Sequence, residues 1–336
     1  MTRLWRWLRH RLEYLLVRAA RGLDRLLGPR LSGALASGLG RFVYRRLRIR
    51  AGVVEDQLRR AFPDRDEAWV RGVARGAYEH LAREAMMLIR LSRLGREAVI
   101  EATVIDGFDD LQEGLAEGNG ALVVSGHIGN WEIGGAAIAA RGLPFDAVAR
   151  PQGNPLVDRL IDGTRTRLGM TIIPMGGATK QALRSLRAGH VVGLVADQDA
   201  RRRGLFVPFF GRPASTFRGP ALLALRSGAP VFAAASTRLP DGRYRVRLRR
   251  VPVPDAPDPA RQEWELTAKL AAALEVAIRE DPTQYLWHHR RWKTRPLEEQ
   301  GDAGASGETV ADGGAGSARG PERGADEGNG EGGRSV

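Results

Sequence analysis

His127 and Glu132 stand five residues apart in the stretch ALVVSGHIGNWEIGG, residues 121–135. A histidine titrates near neutral pH and can take a proton from an alcohol. A carboxylate beside it can fix the ring tautomer and stabilise the imidazolium that forms. Within one regular helix a five-residue step turns the chain by about 140°, which would put the pair on different faces. They can meet if His127 lies in a turn and Glu132 in the first turn of the helix after it. The flanks suit this. Ala121–Val124 is an apolar run of strand type, Gly126 and Gly129 accept turn conformations, and a small-residue helix runs from Gly134 to Ala140. The carboxyl end of a buried strand is also where open α/β sheets build their sites. Each residue has an ordinary structural use too: the histidine as a hydrogen-bonded core residue, the glutamate as a dipole or capping partner.

Three later stretches bear on the same chemistry. In RPQGNPLVDRLIDGTRTRLG, residues 150–169, Asn154-Pro155 starts a helix. Arg165 and Arg167 close its far end, where arginine ordinarily answers the helix dipole. In residues 191–220 a strand delivers Asp197 and Asp199 at its carboxyl end, followed by Arg201–Arg203, aromatic residues and a Ser-Thr turn. The two acids could begin a metal site, but no nearby histidine or third carboxylate completes one, and acids of a surface turn account for them. Pro208-Phe209-Phe210-Gly211 is apolar where a loop should be polar, which reads as a greasy binding wall. PTQYLWHHRRWKTRP, residues 282–296, sets His288, His289, Arg290, Arg291 and Lys293 around Trp287 and Trp292. That pattern is open to an RNA-contacting patch or to a strand and loop that binds anionic lipid headgroups.

The elements that must position these residues follow from patterning. Residues 1–95 read as mostly helical, with segments around 32–47, 52–61, 66–79 and 80–94 and a break at Phe62-Pro63-Asp64. From residue 100 onward short apolar runs (121–124, 145–149, 171–173, 191–195, 231–235) alternate with helical stretches (134–140, 155–168, 179–188, 219–227). This alternation predicts an α/β fold with a mixed, mainly parallel sheet flanked by helices over residues 96–296. Arg243–Arg250 alternates as a strand with one wet face, and Trp264–Ile278 reads as a late helix. Residues 297–336 hold twelve glycines, nine acids and three bases, a composition expected to stay disordered.

Charge narrows the partners. The chain of 336 residues has a formal charge of +13, and with the tail at −6 the remaining body is +19. The basic residues are nearly all arginine, a planar multi-donor group suited to phosphate. A solvated basic surface, nucleic acid and an anionic membrane all remain readings of that charge. The chain has no cysteine, which excludes disulfides, cysteine catalysis and thiolate metal sites. No apolar stretch approaches eighteen residues, so no spanning helix is predicted. At the N-terminus Leu4, Trp5, Leu8, Leu12, Leu15, Leu16, Leu23 and Leu26 recur at helical spacing among arginines. Such a helix suits the headgroup region of an anionic bilayer, and equally a helix whose apolar stripe packs on its own domain.

His127-Ile-Gly-Asn-Trp-Glu132 resembles the H-x4-D/E motif of glycerolipid acyltransferases in its Glu form. The series NPLVD with Arg165, ADQD before GLFVPFFGRPAST, and QYLWHHRRWKTRP resembles, in order, the bacterial lipid A biosynthesis acyltransferases of lauroyl or myristoyl type. The resemblance covers roughly residues 40–296. It implies an α/β acyltransferase fold with N-terminal helices on the inner membrane's cytoplasmic face. It also implies transfer of an acyl chain from acyl carrier protein, or acyl-CoA, to a hydroxyl of a phosphorylated lipid A precursor. By motif His127 would be the base and Glu132 its partner, with Arg165 and Asp197 as substrate-binding residues. Asn130, Arg150, Arg167, Arg201, Arg218, Arg290 and Arg291 complete the candidate substrate-binding set.

The acceptor hydroxyl would attack directly, without an acyl-enzyme, because Ser125 lacks a G-x-S-x-G context. Oxyanion charge would be met by free N–H groups at the start of the next helix. No cofactor or metal is expected, and no nucleic-acid partner. The chain departs from the family pattern in its heavily charged first helix and its acidic tail. Alternative readings are acylation of a phosphatidylinositol mannoside or another lysolipid, hydrolysis of the same thioester, and a non-catalytic basic protein that binds nucleic acid.

Overall fold

The computed structural model describes residues 3–296, so the tail at 297–336 lies outside the described residues. Helices come first: α1 (Arg3–Phe42), a π turn (Val43–Leu47), α2 (Ala51–Ala61), α3 (Glu67–Leu91) and α4 (Arg96–Glu101). Then follow β1 (Thr103–Asp106), α5 (Phe108–Ala116), β2 (Ala121–Gly129), α6 (Trp131–Ala140), β3 (Phe145–Ala149), α7 (Pro155–Arg167) and β4 (Met170–Pro174). The chain continues through α8 (Ala178–Arg187), β5 (Val191–Val195), β6 (Leu205–Phe209), β7 (Arg212–Thr216) and α9 (Gly219–Ser227). It closes with β8 (Val231–Arg238), β9 (Tyr244–Val251) and α10 (Pro259–Glu280).

Seven strands form one sheet in the order β1-β9-β8-β2-β5-β3-β4. Strand β2 is central and pairs in parallel with β5 and β8. β9 runs antiparallel to β8, and β1 parallel to β9, so the sheet is mixed and mainly parallel. Alternation along β2 sorts its side chains to two faces. Val123 joins the core built with Ile133, Ala137 and Ile138 of α6, whereas Leu122 and Val124 pack with Leu186 of α8, Ala224 of α9 and Leu266 of α10.

The N-terminal region differs from the segments expected of it. Residues 66–79 and 80–94 are one helix, α3, capped where the Asp66 carboxylate accepts the Trp69 N–H at 2.7 Å. Helix α1 runs through both of its expected segments and kinks at Gly28 (φ 72°), just before Pro29. Past the kink, Ser32, Ala36 and Gly40 repeat every four residues and are buried. They let α1 lie close on α3, since a Cβ at Gly40 would fall 2.3 Å from the Tyr78 carbonyl oxygen. Before the kink, buried Asp24 is held by Arg90, Arg93 and Ser32. Past the kink the small residues face inward, so the leucines beside them face out: Leu31 is 60% exposed, Leu35 55% and Leu39 60%, and before the kink Leu12 and Leu26 are exposed too.

In the apolar segment at 208–211, Phe209 and Phe210 are buried in the core while Pro208 and Gly211 are exposed, and Phe209 also lines a cavity with Leu270 and Leu274. β6 and β7 form a hairpin that turns at Phe210 (φ 51°) and Gly211 (φ 71°). Val207, Phe209 and Phe210 are buried, and the two rings pack against Trp292 and Trp287. Trp287, Arg291 and Trp292 are themselves buried, so the basic-aromatic stretch is mostly internal rather than a surface patch. Large aromatic rings gain both from the area they bury and from edge-to-face contact with one another.

Candidate active site

Three features aim the end of β2. Its register with β8 shifts between Ser125 and Gly129, and Gly129 takes φ 58°. A Cβ there would lie 1.7 Å from the Ser236 carbonyl oxygen, so only glycine fits. Asn130 then caps α6, accepting the Ile133 N–H at 3.0 Å and donating to Glu84 at 2.8 Å. His127 therefore lies in the last, irregular residues of β2 rather than in a turn after Val124. Glu132 is in the first turn of α6, as expected.

The two do not pair with each other. The His127 Nδ1 lies 2.6 Å from Asp197 Oδ1, and the His127 backbone N–H donates to Asp197 Oδ2 at 2.8 Å. Sheet register explains this. Ser125 is paired with Val195 in the parallel β2–β5 ladder, so the residues two further along each chain, His127 and Asp197, leave the sheet side by side. The carboxylate fixes the proton on Nδ1, and Nε2 is left as the basic nitrogen, with no hydrogen-bond partner among the described residues. Burial pushes the Asp197 carboxyl up, but the charge of His127, its two hydrogen bonds and Arg291 outweigh burial and hold it below the usual carboxylate range.

Glu132 is engaged elsewhere. Arg165 of α7 donates to its two oxygens at 2.9 and 2.5 Å and also binds Asp162 at 2.9 Å. A two-point, charge-assisted pair is stronger than a single bond to a neutral imidazole, which accounts for Glu132's choice of partner. Burial works against the Arg165 charge, yet Glu132 and Asp162 raise its proton affinity above the ordinary value.

The remaining candidates divide by setting. Arg150 is exposed beside the cavity described below, and Arg201 and Arg290 are exposed. Arg167 is exposed and donates to the Leu91 carbonyl. Arg218 forms a two-point pair with Glu263 at 2.6 and 2.7 Å. Arg291 donates to the Ser215 carbonyl at 2.7 Å and to Thr216 Oγ1 at 2.6 Å, well inside the protein. Asp199 accepts the Thr294 hydroxyl at 3.0 Å, so the two strand-end acids serve different partners.

His127, Trp131, Glu132 and Arg165 line a cavity of about 400 Å³. Exposed Arg150, Gln152, Met175 and Phe217 mark its mouth. Buried Val123, Ile138, Phe145, Met170 and Val246 mark its inner end. Glycines make the room: a Cβ on Gly193 would come 2.4 Å from the Phe145 ring. A smaller cavity of about 190 Å³, walled by Leu81, Ala85 and Leu88 of α3, also reaches His127, Trp131 and Glu132. Trp131 meets the imidazole edge-on, with ring centroids 4.6 Å apart. The imidazole is thus reachable from two largely apolar spaces. Sequence reasoning placed Asp197 at a strand end without joining it to His127, although the equal two-residue offset from Ser125 and Val195 carried that information once the strands were paired.

The sequence profile of the bacterial lipid A biosynthesis acyltransferases matches residues 3–294. The lipid A biosynthesis lauroyltransferase of Escherichia coli (strain K12) is 29% identical over 266 residues, 78% of this chain and 85% of that one. The lipid A biosynthesis palmitoleoyltransferase of the same strain is 30% identical over 200 residues, 58% of this chain and 63% of that one. The phosphatidylinositol mannoside acyltransferase of Mycobacterium tuberculosis (strain CDC 1551 / Oshkosh) is 38% identical over 134 residues, 38% of this chain and 42% of that one.

Proposed function

The chain belongs to the bacterial lipid A biosynthesis acyltransferase family and is an acyltransferase; from that premise we propose that His127 acts as general base in moving a fatty acyl chain from a thioester onto a lipid hydroxyl. The observation that carries this reading is the His127–Asp197 pair beside an apolar cavity. The cavity is within the 300–1,000 Å³ common for small-molecule sites, and its apolar walls suit a hydrocarbon chain. Nε2 takes the proton of the acceptor alcohol as its oxygen attacks the thioester carbonyl. The carbon–sulfur bond then breaks, and the imidazolium returns the proton to the departing thiolate. Asp197 holds the tautomer and stabilises the imidazolium without accepting the proton. Glu132 acts beside it by fixing Arg165 in the cavity wall.

The donor we propose is acyl carrier protein, or acyl-CoA, and the acceptor a phosphorylated lipid A precursor. Exposed Arg150 and Arg201 support this, since arginine binds phosphate as a planar fork. The local 38% identity to a phosphatidylinositol mannoside acyltransferase favours a second acceptor, a mannosylated inositol lipid. We further propose that α1 docks on the anionic cytoplasmic face of the inner membrane. No helix of the described residues is long and apolar enough to cross a membrane, while Trp5, Leu12, Leu15 and Leu16 stand exposed among arginines. Purified protein should acylate the lipid A precursor from an acyl thioester, and His127→Ala should abolish product. Turnover retained in that variant would remove His127 from the chemistry. Transfer to the mannoside lipid but not to the lipid A precursor would select the second acceptor.

A further inference from the structure

Ser236 is 3% exposed near the end of β8, and its hydroxyl has no hydrogen-bond partner among the described residues. A buried hydroxyl left unpaired forfeits its hydration without a return, so such a group is a reason to look for a ligand. The position of Ser236 says which ligand atom. It lines the same cavity as His127. In the β2–β8 ladder Ser125 is opposite Ala234 and Gly129 opposite Ser236. His127 falls between those two register points, so it and Ser236 come from neighbouring stretches of adjacent strands, and both line that cavity.

Helix α6 begins against the same spot. The Ser236 carbonyl accepts the Asn130 N–H at 2.8 Å. A Cβ on Gly134 would lie 3.0 Å from the Ser236 Cβ and 3.3 Å from its Oγ, so the first turn of α6 rests directly on this side chain. The Ile133 N–H of that turn is taken by Asn130. The N–H groups of Trp131 and Glu132, as first-turn donors, have no acceptor within the helix. The neighbouring walls, Ala234 and Val246, are apolar, which strengthens any hydrogen bond made there.

We infer that the Ser236 hydroxyl donates a hydrogen bond to the carbonyl oxygen of the bound acyl thioester as that oxygen becomes the oxyanion of the tetrahedral intermediate. This rests on the acyl-transfer reading above. As the acceptor oxygen bonds to the carbonyl carbon, the π electrons move onto the carbonyl oxygen and the alcohol proton goes to His127 Nε2. When the carbon–sulfur bond breaks, the carbonyl reforms and the thiolate leaves with the proton from Nε2. Ser236 keeps its own proton throughout. No hydrogen bond joins it to His127, so nothing activates it as a nucleophile.

Ser236→Ala removes a hydroxyl that has no partner among the described residues, so its melting temperature should stay level or rise. Its kcat should fall by about 10²-fold or more, the usual effect of losing one oxyanion donor, with KM for the acyl thioester nearly unchanged. Ser236→Cys, which offers a weaker donor of similar shape, should fall between the two. The proposal is overturned if Ser236→Ala keeps kcat within about threefold of wild type, if the loss appears in KM alone, or if it is matched by a fall in melting temperature. His127→Ala measured in parallel separates the two readings. A silent His127 variant beside a fully active Ser236 variant overturns only the oxyanion role, while an active His127 variant removes the general base on which the acyl-transfer reading rests.

Discussion

Asp197 grips His127 at two points, one oxygen on the imidazole Nδ1 and the other on the backbone N–H of the same residue. The carboxylate therefore sets both the ring and the peptide that carries it. Asp197→Asn should keep the backbone contact but present an amide where the charge was. By analogy with the loss of the orienting aspartate in hydrolase triads, kcat should fall by roughly 10³–10⁴-fold with little change in substrate binding. Single-turnover assays read this directly, and a variant that retained more than about a tenth of the activity would show that Asp197 is dispensable for orientation.

Arg165→Met should destabilise more than Glu132→Gln. The arginine side chain is 9% exposed and the glutamate 13%, so removing the cation leaves Glu132 and Asp162 facing an uncompensated site. Breaking such a pair typically costs about 3–5 kcal/mol. The double variant Glu132→Gln/Arg165→Met should recover part of that loss, because no unpaired charge remains at the centre of the pair. Urea denaturation of the three proteins tests the coupling, and simple additivity would mean that the pair contributes no interaction of its own.

The fold was largely legible because hydrophobic period and turn residues are local properties. The runs at 121–124, 145–149 and 191–195 are all strands in the sheet. Side-chain partnership was less legible because it depends on register between strands distant in sequence. The five-residue spacing of His127 and Glu132 suggested a pair, yet the partner came from just past β5, seventy residues on. The burial of Phe209 and Phe210 was hidden for a related reason. They look like a greasy loop until the hairpin folds them onto Trp287 and Trp292, which lie near the chain's end. The outward face of α1 followed from its small residues, Ser32, Ala36 and Gly40, a stripe less conspicuous than the leucines beside it.

Acidification should weaken the fold between pH 6.5 and 4. Burial, with Arg50 nearby, pushes the His288 imidazole down to about 4, and both of its ring nitrogens lack partners among the described residues. Between about pH 6.5 and that value the unfolded chain binds the proton and the folded chain does not, so stability rises with pH across the window. The full difference is about 3 kcal/mol for this residue. His80 and His289 are depressed by burial as well and act in the same direction. Asp24 is held low mainly by Arg90 and Ser32 despite its burial, so its contribution is lost only at more acid pH. His288→Phe should keep the edge-on contact with Tyr78 and flatten the pH dependence. An unchanged slope would assign the acid sensitivity to other groups.

Replacing Leu8, Leu12 and Leu15 together by glutamine should release the protein from anionic vesicles as salt is raised while leaving it folded. These side chains are 44%, 60% and 59% exposed, so the substitutions remove little buried area within the protein. The helix should hold its place. Asp24 remains tied to Arg90 and Arg93, and Asn154 still donates to the His10 carbonyl and to Glu13. What is lost is the apolar side that would enter the headgroup boundary, where each leucine contributes about 1.5–3 kcal/mol when fully buried. Arginine attraction to anionic lipid persists, at about 1 kcal/mol for each residue near the surface, and is screened by salt. The triple variant should therefore sediment with vesicles only at low ionic strength, whereas wild type should remain bound as salt is raised. Equal salt sensitivity of the two proteins would place the membrane contact on a different surface.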